Sequence, residues 1–145
     1  MRFGMIGAGR IGKIHAGNIA ALKGSEVRSV ADVDEGAAKA LAEATGAKVA
    51  GIEAIIAAPD IDAVAICAPT DMHADLIEKA AKAKKAVFCE KPVDLNSDRI
   101  RQCLKVVEAS GAPLMIGFNR RFDPCDFRAG RFRQRFRRVL VDIGD

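Results

Sequence analysis

Glycines at 7, 9 and 12 give the chain a Gly-x-Gly-x-x-Gly inside Arg2-Phe3-Gly4-Met5-Ile6-Gly7-Ala8-Gly9-Arg10-Ile11-Gly12. A short apolar run enters the motif and a helical pattern opens directly behind it. That order suits a bound pyrophosphate. Gly7 permits a tight turn out of a strand, Gly9 has no Cβ to hold phosphates off the backbone, and Gly12 lets the new helix pack closely. The helix's free N–H groups and positive dipole end would face the phosphates, beside Arg10 and Ile11. A ligand-free turn would carry the same glycines, so context decides. Twenty positions after Gly12, Val27-Arg28-Ser29-Val30-Ala31-Asp32 reads as a second strand ending in a carboxylate. A ribose-binding acid belongs there. Asp34 and Glu35 add negative charge and no arginine stands beside Asp32, so NAD is expected rather than NADP, whose 2′-phosphate would be repelled. A helix cap or a solvated loop acid is the plainer role open to Asp32.

Two further stretches hold chemistry-bearing side chains. Ala68-Pro69-Thr70-Asp71-Met72-His73 follows an apolar run, although His73 by itself reads as a helix N-terminal residue in solvent. Glu90-Lys91-Pro92 follows another run. A lysine flanked by an acid and held by a rigid proline suits contact with a substrate hydroxyl. An ion pair on a loop fits the same pattern, and spacing alone does not separate the two.

Alternating elements must position these residues. Residues 2–6 form a nearly all-apolar strand, as in a parallel sheet covered on both faces. The spacing predicts a helix over 12–23, with Ile11, Ile14, Ile19 and Leu22 on one face, stopped by Gly24. Asp34 caps the next helix, which runs to Gly46. Residues 48–50 make a short strand and 52–58 a short helix before Pro59. Strands at 62–67, 86–89 and 113–118 enclose helices at 71–84 and from Asn96 or Ser97 to Ser110. In the first of these, Lys82, Lys84 and Lys85 fall in the last turn; in the second, Ile100, Leu104 and Val107 face inward. The pattern predicts an α/β fold, a doubly wound parallel sheet with right-handed crossovers. Ligands of such sheets bind beyond the strands' carboxyl ends, where strand order reverses.

Length and composition agree. The chain of 145 residues is one domain by length, with 50% hydrophobic and 29% charged residues. No apolar run approaches the roughly 18 residues of a membrane span. Met1-Arg2-Phe3 enters the first strand directly, leaving no room for a signal peptide, so a cytoplasmic location is expected. Cys67, Cys89, Cys103 and Cys125 lack the close spacing of a zinc or redox site. Cys67 and Cys89 end apolar runs and read as small buried hydrophobes. The net charge of +4 belongs to the last residues. From Asn119 onward there are eight Arg and four Asp, so the preceding stretch carries 15 basic and 15 acidic groups.

Five segments resemble the glucose-fructose oxidoreductase, inositol dehydrogenase and MocA family over residues 1 to about 124. They are Gly7-Ala8-Gly9-Arg10-Ile11-Gly12, Asp32-Val33-Asp34, Pro69-Thr70-x-x-His73, Phe88-Cys89-Glu90-Lys91-Pro92 and Gly117-Phe118-Asn119-Arg120-Arg121-Phe122-Asp123. The last is most similar to the inositol 2-dehydrogenase branch. The resemblance implies a Rossmann domain that binds NAD, with oxidation of a secondary alcohol of inositol or a related polyol or sugar. It implies that Lys91 contacts the substrate hydroxyl during hydride transfer. Pro69, Thr70, His73, Glu90 and Asn119 would line the nicotinamide end of the groove, with the Lys91–Pro92 bond open to the cis form. Family members carry a second, largely antiparallel substrate domain, which is missing here, so this stretch is expected to be inactive alone. Homo-oligomers are expected of full-length relatives, an expectation that does not extend to this chain. A non-catalytic dinucleotide-binding or redox-sensing module is the alternative.

Residues 125–145 depart from the family. A basic stripe with interleaved phenylalanines is a pattern for nucleic acid or an acidic surface. Phe132, Phe136, Val139 and Leu140 lie at helical spacing, however, which favours an amphipathic helix lacking its packing partner. This tail reads as a truncation remnant, with neither a nucleic-acid nor a membrane partner expected.

Overall fold

The computed structural model describes residues 1–118. Asn119, Cys125 and the basic tail lie outside the described residues. Eleven elements alternate along the described residues: β1 (Arg2–Ile6), α1 (Arg10–Ala21), β2 (Glu26–Ala31), α2 (Glu35–Thr45), β3 (Lys48–Val49), α3 (Ile52–Ala57), β4 (Ala63–Ile66), α4 (Thr70–Lys82), β5 (Ala86–Cys89), α5 (Ser97–Ser110) and β6 (Leu114–Ile116). The strands form one sheet in the order β3-β2-β1-β4-β5-β6, and every pairing is parallel. Strand order reverses between β1 and β4. The central strand β4 is buried along its whole length, because helices cover both of its faces.

Two cores flank the sheet. One gathers Ile6, Ile55, Ile66, Leu76, Ile77 and Val87 under α3, α4 and α5; the other gathers Met5, Val27, Val30 and Leu41 under α1 and α2. The first helix departs from its expected orientation. Gly12 and Ala16 are its buried residues, while Ile14 is 52% and Leu22 63% exposed. Close approach to the sheet reserves the fully buried positions for small side chains, while Ile19 further along packs partly buried against the core. On α5 the fully buried residue is Cys103, with Ile100 and Leu104 only partly covered.

The helix ends follow local chemistry. Asp34 caps α2 by accepting from the Ala37 amide at 3.0 Å, and Asn96 caps α5 by accepting from Asp98 at 2.8 Å. Gly46 and Gly111 close those helices in the left-handed conformation. The lysines after α4 do something else than answer its dipole. Lys84 reaches the Ser110 carbonyl, and Lys85 donates to the Ala58 and Ile61 carbonyls at 2.5 and 2.7 Å. They fasten the β4 and β6 approaches to the turn before β5. No helix among the described residues is long and apolar enough to cross a membrane.

Candidate functional site

The backbone ladder runs one residue past four strand ends. Gly7 donates to the Ala31 carbonyl at 2.8 Å, Cys67 to Ile6 at 2.7 Å, Glu90 to Ile66 at 2.9 Å and Gly117 to Cys89 at 2.8 Å. These bonds place the glycine loop, the Cys67-Ala68-Pro69 turn and Glu90-Lys91 in register along one edge of the sheet, at the point of strand reversal.

The glycines divide by what demands them. Gly7 has φ of 104°, and a Cβ on it would stand 2.4 Å from the Cys67 carbonyl oxygen. A Cβ on Gly12 would stand 2.0 Å from the Gly7 carbonyl oxygen. The protein's own packing requires both. Gly9 has an ordinary φ of −67° and nothing within 4 Å of the place a Cβ would take. No neighbour in the protein needs glycine there, and the backbone at this turn is open to approach from outside. The first turn of α1 has neither a side-chain cap nor an acidic residue, so its N–H groups remain available to an anion. These features fit a pyrophosphate.

Asp32 stands one residue beyond β2. Its Oδ2 accepts from the Ala8 amide at 2.6 Å and its Oδ1 from the Asp34 amide at 2.9 Å. One carboxylate thus ties the glycine loop to the end of β2, and each oxygen keeps a lone pair for a hydroxyl. Capping of α2 falls to Asp34, which removes that plainer role from Asp32. A groove of about 310 Å³ runs between Gly7, Gly9, Asp32 and Pro69, with apolar walls from Ile52 and Met72. Val33, 92% exposed, stands at its rim. Ile52, which follows Gly51, and Met72, in the first turn of α4, carry no sequence signal for this role.

Other expected residues are distributed unevenly. Arg10 and Ile11 begin α1 and are exposed. Pro69 precedes α4 and lines the groove, whereas Thr70, Glu90 and Lys91 stand outside its lining. His73 departs from the solvent-facing reading. It is only 2% exposed, and it is not among the residues lining the groove. Its Nδ1 lies 2.6 Å from the Pro92 carbonyl oxygen and its Nε2 2.8 Å from that of Ala68. The ring joins the turn after β4 to the Lys91–Pro92 peptide, which is cis. Lys91 is exposed, and its amide lies 3.3 Å from Glu90 Oε2. His15, which carries no motif, meets Glu90 Oε1 through its Nε2 at 2.7 Å.

Cys67 sits in the groove floor with its thiol pushed up to about 12 by burial, and secondarily by the Glu90 charge. Thiolate is the reactive form. Iodoacetamide at pH 8 should therefore label Cys67 in the folded protein at least ~100-fold more slowly than in the urea-unfolded chain. Peptide mass spectrometry reads the ratio, and equal rates would mean the thiol is neither buried nor raised.

A six-stranded parallel sheet with an outward-open Gly9 and a carboxylate beyond β2 defines a dinucleotide-binding Rossmann domain. The chain belongs to the GFO/IDH/MocA oxidoreductase family with an NAD-binding Rossmann fold, whose family model matches residues 1–118. It is 58% identical over 124 residues to inositol 2-dehydrogenase of Rhizobium meliloti, covering 86% of this chain and 38% of that protein. The crystal structure of scyllo-inositol dehydrogenase from Lactobacillus casei with bound NAD(H) and scyllo-inositol superposes with a TM-score of 0.83 at 31% identity. That match covers 90% of this chain and 40% of the other. Myo-inositol dehydrogenase from Corynebacterium glutamicum gives 0.81 at 39% identity, over 90% of this chain and 41% of its own. The chain thus spans about two fifths of the length of the relatives it matches.

Proposed function

We propose that residues 1–124 are the cofactor-binding half of an NAD-dependent oxidoreductase of the inositol 2-dehydrogenase type. The reaction is oxidation of a secondary alcohol of inositol, or of a related polyol or sugar, to a ketone. The observation that carries this reading is the uncapped start of α1 at Gly9, where the backbone is open to an anion, on the same sheet edge as Asp32 and Glu90-Lys91-Pro92. NAD supplies the hydride acceptor. The phosphates lie on the start of α1 beside Arg10 and Ile11, and Asp32 accepts from the adenosine ribose. Pro69, Thr70 and Glu90 border the nicotinamide end. Lys91 holds the substrate hydroxyl. A cytoplasmic location and a small polyol partner go with this reading.

Hydride transfer needs the substrate carbon held near the nicotinamide and a positioned base for the hydroxyl proton. Lys91 supplies one contact, and in relatives more than twice as long a further domain stands available for the rest. Purified residues 1–145 should therefore bind NAD in a calorimeter yet form little or no NADH with inositol. Absence of NAD binding would overturn the cofactor assignment. Steady NADH formation abolished by Lys91→Ala would show that this stretch is a complete catalyst.

A further inference from the structure

The protein has two histidines, and both are engaged with the three residues Glu90-Lys91-Pro92. They come from opposite sides. His73 rises from α4 and meets the Pro92 carbonyl; His15 lies in the second turn of α1, the helix whose N-terminus faces the groove. The His15 side chain is 26% and that of Glu90 20% exposed, so their contact is partly shielded from water. An ionised carboxylate only accepts, so the geometry gives His15 its proton on Nε2. The ring is held from another direction by an edge contact with Phe88, with centroids 4.7 Å apart at 60°. Gly117 completes the enclosure. A Cβ there would come within 3.0 Å of Glu90 Oε1 and 3.1 Å of the Phe88 ring, so the acid has little room to turn. With Oε1 taken by His15, the other oxygen, Oε2, faces the Lys91 amide.

We propose that His15 is a positioning residue for Lys91. By fixing Glu90 it fixes the backbone that carries the lysine, and it joins that backbone to the helix on which the cofactor phosphates rest. The phosphate helix and the lysine loop then move as one body, and occupancy at the first is felt at the second. Its use in catalysis rests on the function proposed above; the contact itself does not.

His15→Gln keeps an amide donor near the place of Nε2, whereas His15→Met keeps bulk and loses the donor. Amide hydrogen exchange at Lys91 should quicken about tenfold or more in His15→Met, the loss of one charge-assisted bond, and stay near wild type in His15→Gln. Val30 and Val64 in the central strands serve as controls. Titrating ADP, which carries the pyrophosphate and adenosine but no nicotinamide, should shift the Ala8 and Lys91 amide signals together in wild type, and Ala8 alone in His15→Met. Unchanged exchange at Lys91 in His15→Met overturns the proposal, as does equal quickening in His15→Gln, which would assign the effect to packing on Phe88. A Lys91 response to ADP that survives His15→Met, or that is absent in wild type while Ala8 responds, overturns the coupling. If NAD moves neither signal in wild type, the proposed function falls, and the exchange comparison still decides the His15 contact.

Discussion

Gly12→Ala should cost this domain a large part of its stability, while Gly9→Ala should leave it folded and a much weaker binder of dinucleotide. At position 12 the added methyl would stand 2.0 Å from a backbone oxygen, Gly7's carbonyl, in the turn that Gly7 itself needs for its left-handed φ. A flexible side chain could move aside; this backbone cannot without lifting α1 from the sheet. Overpacking of well-filled sites costs about 1–3 kcal/mol and more where backbone must shift, so the upper end applies. That is a drop in Tm on the order of 10 °C for a domain of this size. At position 9 the methyl meets open space, and the cost is at most the few tenths of a kcal/mol to ~1 kcal/mol by which alanine is the poorer helix cap. The same methyl stands where a phosphate must approach the backbone. Losing one or two charge-assisted hydrogen bonds should weaken NAD on the order of 100-fold. Thermal melts and calorimetry on the two variants provide the comparison. Normal NAD affinity in Gly9→Ala would mean the phosphates do not lie on this loop.

Asp32→Ser should weaken NAD and strengthen NADP, each by about tenfold, narrowing the preference without inverting it. The carboxylate has two duties in the structure. It holds the Ala8 and Asp34 amides, and it keeps acceptor capacity on each oxygen for two hydroxyls. A serine oxygen cannot span both amides, so the glycine loop also loses its tie to β2. Removing the charge relieves repulsion of a 2′-phosphate, but Asp34 and Glu35 remain beside it, and no cation replaces the lost anion. Calorimetric titration of wild type and variant with both cofactors gives the four constants required. Tighter NADP than NAD binding by wild type would show that Asp32 does not face the ribose.

Much of this molecule is written locally. The strands, the caps at Asp34 and Asn96, the closing glycines at 46 and 111, and the placement of Gly7, Gly9 and Gly12 all follow from neighbouring residues. Each is a matter of backbone conformation or of a side chain reaching a few residues away, so a linear reading finds it. Periodicity places a stripe of large apolar residues on the inner face of α1, yet only Ile19 of them packs on the core, because close approach to the sheet reserves the buried positions for Gly12 and Ala16. Lys84 and Lys85 looked like dipole charges, since nothing in their spacing reveals carbonyls on other loops. The strand order and the reversal between β1 and β4 came only with tertiary structure, as did the double duty of Asp32. The same holds for the two histidines. His15 lies 75 positions from Glu90, and His73 reaches a carbonyl 19 positions away. Hydrogen bonds between distant segments leave no period in the sequence. What the chain determines by itself is which residues can turn, cap or bind; which of them meet is decided by parallel strands that bring separate loops to one edge.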